Sequence, residues 1–257
     1  MLNRNRAARP LLLLLALLPA AVSADTITIE SDYWIPYNGA PGSGKEGYMI
    51  DLLRAIAAES GDEVDYRLMD WDTAVTRSLQ GSVDCVVGAF VEDTPDHAMT
   101  SSPWGLSENV FLSHVENIPR LESLEDLRTL RIGAVADYSY GEQIDAILAD
   151  PEVQVTRQRS SRQAFPHLVM KLITRSVDVV IEDANVANAA LTELNMRGRV
   201  VPVRDDLTEP DEIHVACTPN ARGQALVARF DAGLKAARES GLLAETLARY
   251  GLEDWAQ

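Results

Sequence analysis

Basic side chains are scarce in this sequence, and unevenly spread. Its 257 residues hold 23 Lys and Arg against 39 Asp and Glu, a formal net charge of −16. No Lys or Arg stands between Arg77 and Arg120. Such an acidic surface repels phosphate backbones and anionic headgroups, which argues against nucleic acid or an anionic membrane as partner. The four histidines (His97, His114, His167, His214) lack the short repeats of a zinc site. No Gly-x-Gly-x-x-Gly follows a strand pattern, so a dinucleotide site has no support. No nucleophile motif and no histidine–carboxylate pair at a catalytic spacing is present. No metal and no cofactor is therefore expected.

Cysteine is limited to Cys85 and Cys217. In an oxidising compartment they can pair if their strands are neighbours; otherwise they are two buried apolar thiols. Long apolar runs are also missing, apart from Leu11–Leu18, which is too short to anchor in a bilayer. Arg4, Arg6 and Arg9 precede that run, and Val22-Ser23-Ala24 follows it. Residues 1–24 thus have the charged start, apolar middle and small-residue end of a cleavable export signal. No cysteine follows the cleavage point, so nothing suggests a lipid anchor. Removing three arginines and no acid takes the charge to −19 over 233 remaining residues (257 minus 24). The mature chain is expected to be periplasmic and free of the membrane.

What is present alternates between two periods. Ile27 and Ile29, then Val64, Tyr66 and Leu68, have strand spacing. Met49, Leu52, Leu53 and Ile56 between them have helical spacing, closed by Gly61. Asp72 suits the cap of a helix ending near Gly81, and Val83–Ala89 reads as a buried strand. A second series follows. Ser123-x-x-Asp126 resembles a capping box, Leu130–Val135 is a strand, and a helix runs from about Tyr140-Gly141 to before Pro151. Phe165, Leu168, Val169, Leu172 and Ile173 form a helical stripe with Pro166 in its first turn. Val177–Ile181 is a strand, followed by an alanine-rich helix, strands near Val200–Val203 and Ile213–Ala216, and two closing helices stopped by Gly241 and Gly251. This is a doubly wound α/β pattern without repeats.

In such sheets ligands bind beyond the carboxyl ends of the strands. Aromatics are only 6% of the chain, yet they gather there. Asp32-Tyr33-Trp34-Ile35-Pro36-Tyr37, Asp70-Trp71-Asp72, Gly88-Ala89-Phe90-Val91-Glu92-Asp93 and Asp137-Tyr138-Ser139-Tyr140-Gly141 each follow a strand. Rings on loops make flat walls for a small ligand.

The order of motifs resembles family 3 of the periplasmic solute-binding proteins, the polar amino-acid type. The resemblance rests on Trp34-Ile35-Pro36-Tyr37, Gly47-Tyr48-Met49-Ile50-Asp51-Leu52-Leu53 and Gly81-Ser82-Val83-Asp84-Cys85-Val86-Val87-Gly88. It continues through Ser102-Pro103-Trp104, Ser123-Leu124-Glu125-Asp126-Leu127, Ile132-Gly133, Ser176–Asp183 and Arg249-Tyr250-Gly251. It implies two hinged lobes, residues 25–111 plus 212–257 and residues 112–211, each a mostly parallel sheet flanked by helices. It also implies a monomer that delivers a small-molecule ligand to a membrane ABC permease or a sensor. On this resemblance Trp34, Tyr37, Trp71, Gly88, Ala89, Phe90 and Asp183 are expected ligand-binding residues, and the composition of the strand-end loops adds Asp32, Glu92, Tyr138, Ser139 and Tyr140. Asp183 matches the family acid that receives an α-ammonium group.

Two departures bear on the ligand. Amino-acid binders of the family place an arginine shortly after the Gly88 position to grip a carboxylate; here Thr94-Pro95-Asp96-His97 stands instead. The family's Gly-Thr after the lobe-two strand is replaced by Asp137-Tyr138-Ser139. Ser139 with the helix start behind it is the remaining anion anchor, and Arg77, Arg157, Arg159 and Arg162 are the arginines able to substitute. The expected ligand is therefore a neutral or amine-bearing polar solute, with an α-amino acid still open. The alternatives are a dehydratase-like enzyme on the same fold, using Glu92, Glu142 or Asp183 as acid or base, and a sensing protein without transport.

Overall fold

The computed structural model describes residues 24–204 and 207–256; the expected export signal, apart from Ala24, lies outside the described residues. Ile27 and Ile29 are fully buried in β1 (Thr26–Ser31). This strand pairs in parallel with β2 (Glu63–Leu68) on one side and β3 (Cys85–Ala89) on the other. Between β1 and β2, α1 (Tyr48–Ala58) buries the predicted Met49, Leu52, Leu53 and Ile56 stripe. It starts at Gly47, whose φ of 102° is costly for a side chain; a Cβ there would meet Tyr37 O at 2.3 Å. The next helix, α2 (Trp71–Leu79), has Asp70 at its N-cap position, so Asp72 lies inside the first turn rather than capping it. There its charge still complements the helix dipole.

After β3 the chain makes β4 (Ala98–Met99) and β5 (Gly105–Ser107), then leaves the first sheet through β6 (Asn109–His114). Two- and three-residue strands are too short to show a period, and β6 lacks strict alternation, which is why none was expected. A short 3-10 segment, Leu124–Thr129, is held by the Ser123/Asp126 capping box, with the Ser123 amide donating to Asp126 Oδ2 at 3.0 Å. The second series then runs β7 (Arg131–Val135), α3 (Glu142–Ala149), β8 (Gln154–Gln158), α4 (Ala164–Ile173), β9 (Val179–Asp183), α5 (Ala184–Glu193) and β10 (Val200–Arg204). The return strand β11 (Asp211–Cys217) lies antiparallel to β3, and α6 (Ala221–Ser240) and α7 (Leu242–Ala248) finish on α1.

Two sheets result, in the orders β2-β1-β3-β11-β4, with β5 on β11, and β10-β6-β9-β7-β8. Each has three parallel strands extended by antiparallel ones where the chain crosses over. Apolar clusters cover both faces of each sheet, as a doubly wound layering requires. Cys85 and Cys217 stand opposite each other on β3 and β11 and are disulfide-bonded, so pairing and not two free thiols is what the strand order produces.

β9 runs two residues further than its apolar pattern suggests. Val110 pairs with Glu182 and Asn109 with Asp183, so the crossover strand β6 draws both acids into the sheet. The carboxyl ends of β1, β3, β7 and β9 then face one another across the gap between the sheets.

Candidate functional site

Trp34 is set by a tight turn: its amide donates to Asn38 O at 2.8 Å, and the Tyr37 amide returns to Trp34 O at 3.0 Å. Its ring stacks on Tyr37 with centroids 4.2 Å apart and meets the edge of Phe90 at 6.1 Å. Gly88, at φ 79°, lies beneath it; a Cβ there would come within 3.4 Å of the Trp34 ring. A side chain at that position would crowd Asn38 Oδ1 at 3.0 Å and hold a backbone conformation that favours glycine.

Asp32, Trp34, Trp71, Gly88, Phe90, Tyr138, Ser139, Tyr140 and Asp183 line one cavity of about 430 Å³, mouth included. Tyr37, Ala89 and Glu92 do not line it. Tyr37 is buried behind Trp34, where its hydroxyl lies 3.0 Å from Asp183 Oδ2 and accepts from Asn185 Nδ2 at 2.9 Å. Ala89 points to the other face of its strand, into the cluster with Trp71, Val86 and Ala216. Glu92 is exposed on the loop; its neighbour Asp93 turns inward instead.

Asp93, which the sequence offered with Asp32, Glu92 and Asp183 as an acid of the cleft, lines it as well, and sequence reasoning missed Ser107, Asn109 and Glu182, which complete the lining. Ser107 and Asn109 sit on the crossover between the sheets, where no loop signature marks them. Glu182 carried a signal that was readable: a carboxylate ending an otherwise apolar strand is costly unless it is used.

Carboxyl groups dominate the cavity, and no Lys or Arg lines it. Asp32 Oδ2 accepts from the Tyr138 hydroxyl and from Ser160 Oγ at 2.9 Å, which ties the end of β1 to the loops of the second sheet. Burial raises its pKa, against the pull of those donors. Asp183 is the N-cap of α5 through the Val186 amide at 2.9 Å. It also accepts from Ser107 Oγ at 2.9 Å and the Glu108 amide at 3.3 Å. Burial nonetheless pushes it up to about 6. Glu182 is pushed up to about 8, by burial first and then by the charges of Asp183 and Asp32. Asp93 is pushed up to about 6 by burial, with Asp145, Glu92 and Asp72 adding repulsion.

The four arginines weighed as substitutes for the family's carboxylate clamp are committed elsewhere. Arg77 pairs with Glu30 at 2.8 Å, and Arg157 donates to Leu148 O at 2.8 Å. Arg159 reaches Asp70 at 2.8 Å, across the mouth of the cleft. Arg162 lies 3.8 Å from Glu193 and 5.6 Å from the Tyr33 ring centroid, in a neighbouring cavity. His97 is bonded to Ser78 Oγ at 2.8 Å and does not line the cavity. A negatively charged, aromatic-walled cavity between two sheets can hold a small polar solute and favours one with a positive charge.

Comparison with known proteins places this arrangement. A probable histidine-binding protein of Neisseria gonorrhoeae is 22% identical over 244 residues, covering 93% of this chain and 88% of that protein. Among solved structures, a histidine kinase sensor domain with similarity to periplasmic binding proteins shares the fold at a TM-score of 0.75 and 22% identity. It covers 90% of this chain and 99% of that one. An ancestral arginine-binding protein bound to arginine aligns at 0.74 and 20% identity, covering 88% and 98%. The sequence matches the family described as bacterial extracellular solute-binding proteins, family 3, over residues 27–253, through both sheets and both crossovers. On that match the chain belongs to this family and is a solute-binding protein.

Proposed function

We propose that the chain captures a small amino-bearing solute (an amino acid, an amine or a related compound) in the periplasm and delivers it to an ABC permease. The observation that carries this is the cavity itself: aromatic rings of Trp34, Phe90 and Trp71 as walls, buried carboxyls as its polar groups, and no basic side chain. The relatives include a histidine-binding and an arginine-binding protein, both taking amino-bearing ligands. Lobe boundaries at residues 111/112 and 211/212 fall within β6 and β11, the crossover strands, where a hinge between lobes bends. Among the described residues no helix is long and apolar enough to cross a membrane, which suits a shuttle.

The role is binding and not catalysis. Glu92 and Glu142, two of the acids weighed as catalysts, do not line the cavity, and Asp183 spends its oxygens on capping and on cross-sheet bonds. The likeness to a kinase sensor domain favours one second reading, ligand sensing without transport; pull-down of a permease, or of a receptor, separates the two.

A thermal-shift panel of amino acids, amines and short peptides tests the proposal. A solute at a hundred times its Kd adds about 2.7 kcal/mol to stability, and NMR of the recovered solute should show it unchanged. A panel with no stabilising solute, or a chemically altered one, contradicts the proposal.

A further inference from the structure

The carboxyl oxygens around the cavity are not equally occupied. Asp183 accepts from Val186 N on Oδ1 and from Ser107 Oγ and Glu108 N on Oδ2. Asp32 Oδ2 accepts from Tyr138 and Ser160. Asp93 lies beside Trp71, whose pull offsets part of the effect of its burial. Glu182 differs. Its two donors, the Asp183 amide at 2.9 Å and Trp34 Nε1 at 3.4 Å, both reach Oε1, and no described residue donates to Oε2. The residue is 2% exposed and lines the cavity, and Oε2 is not among the unpartnered atoms sealed within the protein. A carboxylate oxygen so placed, in a site walled by Trp34 and Phe90, calls for a positive partner.

Nothing in the cavity welcomes a negative one. Asp32, Asp93 and Asp183 face any carboxylate that enters. Ser139, the expected anion anchor, donates its hydroxyl to Asp145 Oδ2 at 2.8 Å, and the Tyr140 amide goes to Asp145 Oδ1 at 2.9 Å. The start of α3 therefore already has its anion. Arg162, held near Glu193, lies in the neighbouring cavity, which shares Trp34, Tyr138 and Glu182 with this one. Among the described residues no three metal-ligating side chains are placed to hold an ion, so the cation is organic.

We propose that Glu182, rather than Asp183, receives the solute's positive charge, and that the solute is an amine or guanidine carrying no carboxylate beside that charge. This rests on the solute-binding reading above and narrows it. The groups facing Glu182 are Asp32, Asp183, Tyr138, Tyr140 and Trp34, with Arg162 and Glu193 behind it. Burial holds the empty-state carboxyl at about 8. At pH 7 the arriving cation therefore displaces a proton, and binding weakens as the pH falls.

Calorimetric titration with matched pairs tests this: histamine against histidine, and agmatine against arginine, from pH 6 to 8, on wild type, Glu182→Gln and Asp183→Asn. An amine should bind at least about 10-fold more tightly than its amino acid, and E182Q should weaken it by about 10- to 100-fold, more than D183N does. Wild-type affinity should fall about 10-fold per pH unit below 8, and E182Q should lose that slope. Tighter binding of the amino acids, or a full-strength, pH-independent E182Q complex, overturns the assignment while leaving solute binding intact. If another panel solute binds and none of these four does, the same E182Q comparison on that solute decides. No binding by any solute refutes the solute-binding reading itself. Should E182Q not fold, the amine-to-amino-acid ratio and the wild-type pH slope decide alone.

Discussion

Glu182 makes a second prediction, about stability rather than binding. Its carboxyl is held near 8 in the folded chain, against 4.5 for an ordinary glutamate. The folded state therefore keeps a proton that the unfolded state has released. That contribution is full below about pH 4.5 and is lost as the pH rises through 8. The empty protein should melt lower at pH 8.5 than at pH 6. E182Q, neutral throughout, should recover part of the difference, an effect of a few kcal/mol at most. Equal melting temperatures for wild type and E182Q at pH 8.5 would contradict this burial. Asp32 and Trp34 were legible in the sequence because they follow a strand pattern in a loop of unusual composition, and Asp183 was legible only through the family resemblance. Glu182 was passed over although its place after the Val177–Ile181 strand pattern was a signal, because that pattern does not show how far β9 extends under the pull of β6. Ala89 and Glu92 were misplaced for a simpler reason. A loop's composition does not reveal which of its residues turns inward, and Asp93 does so where Glu92 does not.

At the scale of elements, the parallel strands and their helices follow from periodicity, because each buries a regular stripe. The antiparallel additions do not. β4 and β5 are too short to show a period, β8 is an edge strand of mostly polar residues, and β6 is placed by tertiary pairing. Cys85 and Cys217 show the same division: the two strands were readable, their adjacency was not. Their bond joins β3 to β11 across a sequence separation of 132 residues and so pins the return crossover to the first sheet. Closing a loop of that length is worth up to about 5 kcal/mol in the chain-entropy model. The Cys85→Ser/Cys217→Ser double variant should melt roughly 10 °C lower. Its solute affinity should change little, because neither cysteine lines the cavity. An unchanged melting temperature would show that the bond does not form in solution.

Across the whole molecule, side chains that wall the cavity, with others packed around it, also join the two sheets. Trp34 reaches Glu182, Tyr37 approaches Asp183, Tyr138 and Ser160 meet on Asp32, and Arg159 reaches Asp70 at the rim. The exposed rim pair contributes little; the buried contacts hold the sheets together around the site. A solute in the cavity would touch both sheets at once, which couples occupancy to closure. Such coupling needs the solute to sit against Trp34, and that location can be measured directly. Tryptophan fluorescence of wild type and of Trp34→Phe, titrated with a solute that raises the melting temperature, is the most direct test. The account predicts a saturable one-to-one change in wild type, and both a much smaller change and weaker binding in W34F. An undiminished signal with undiminished affinity in W34F would place the solute elsewhere and contradict the account.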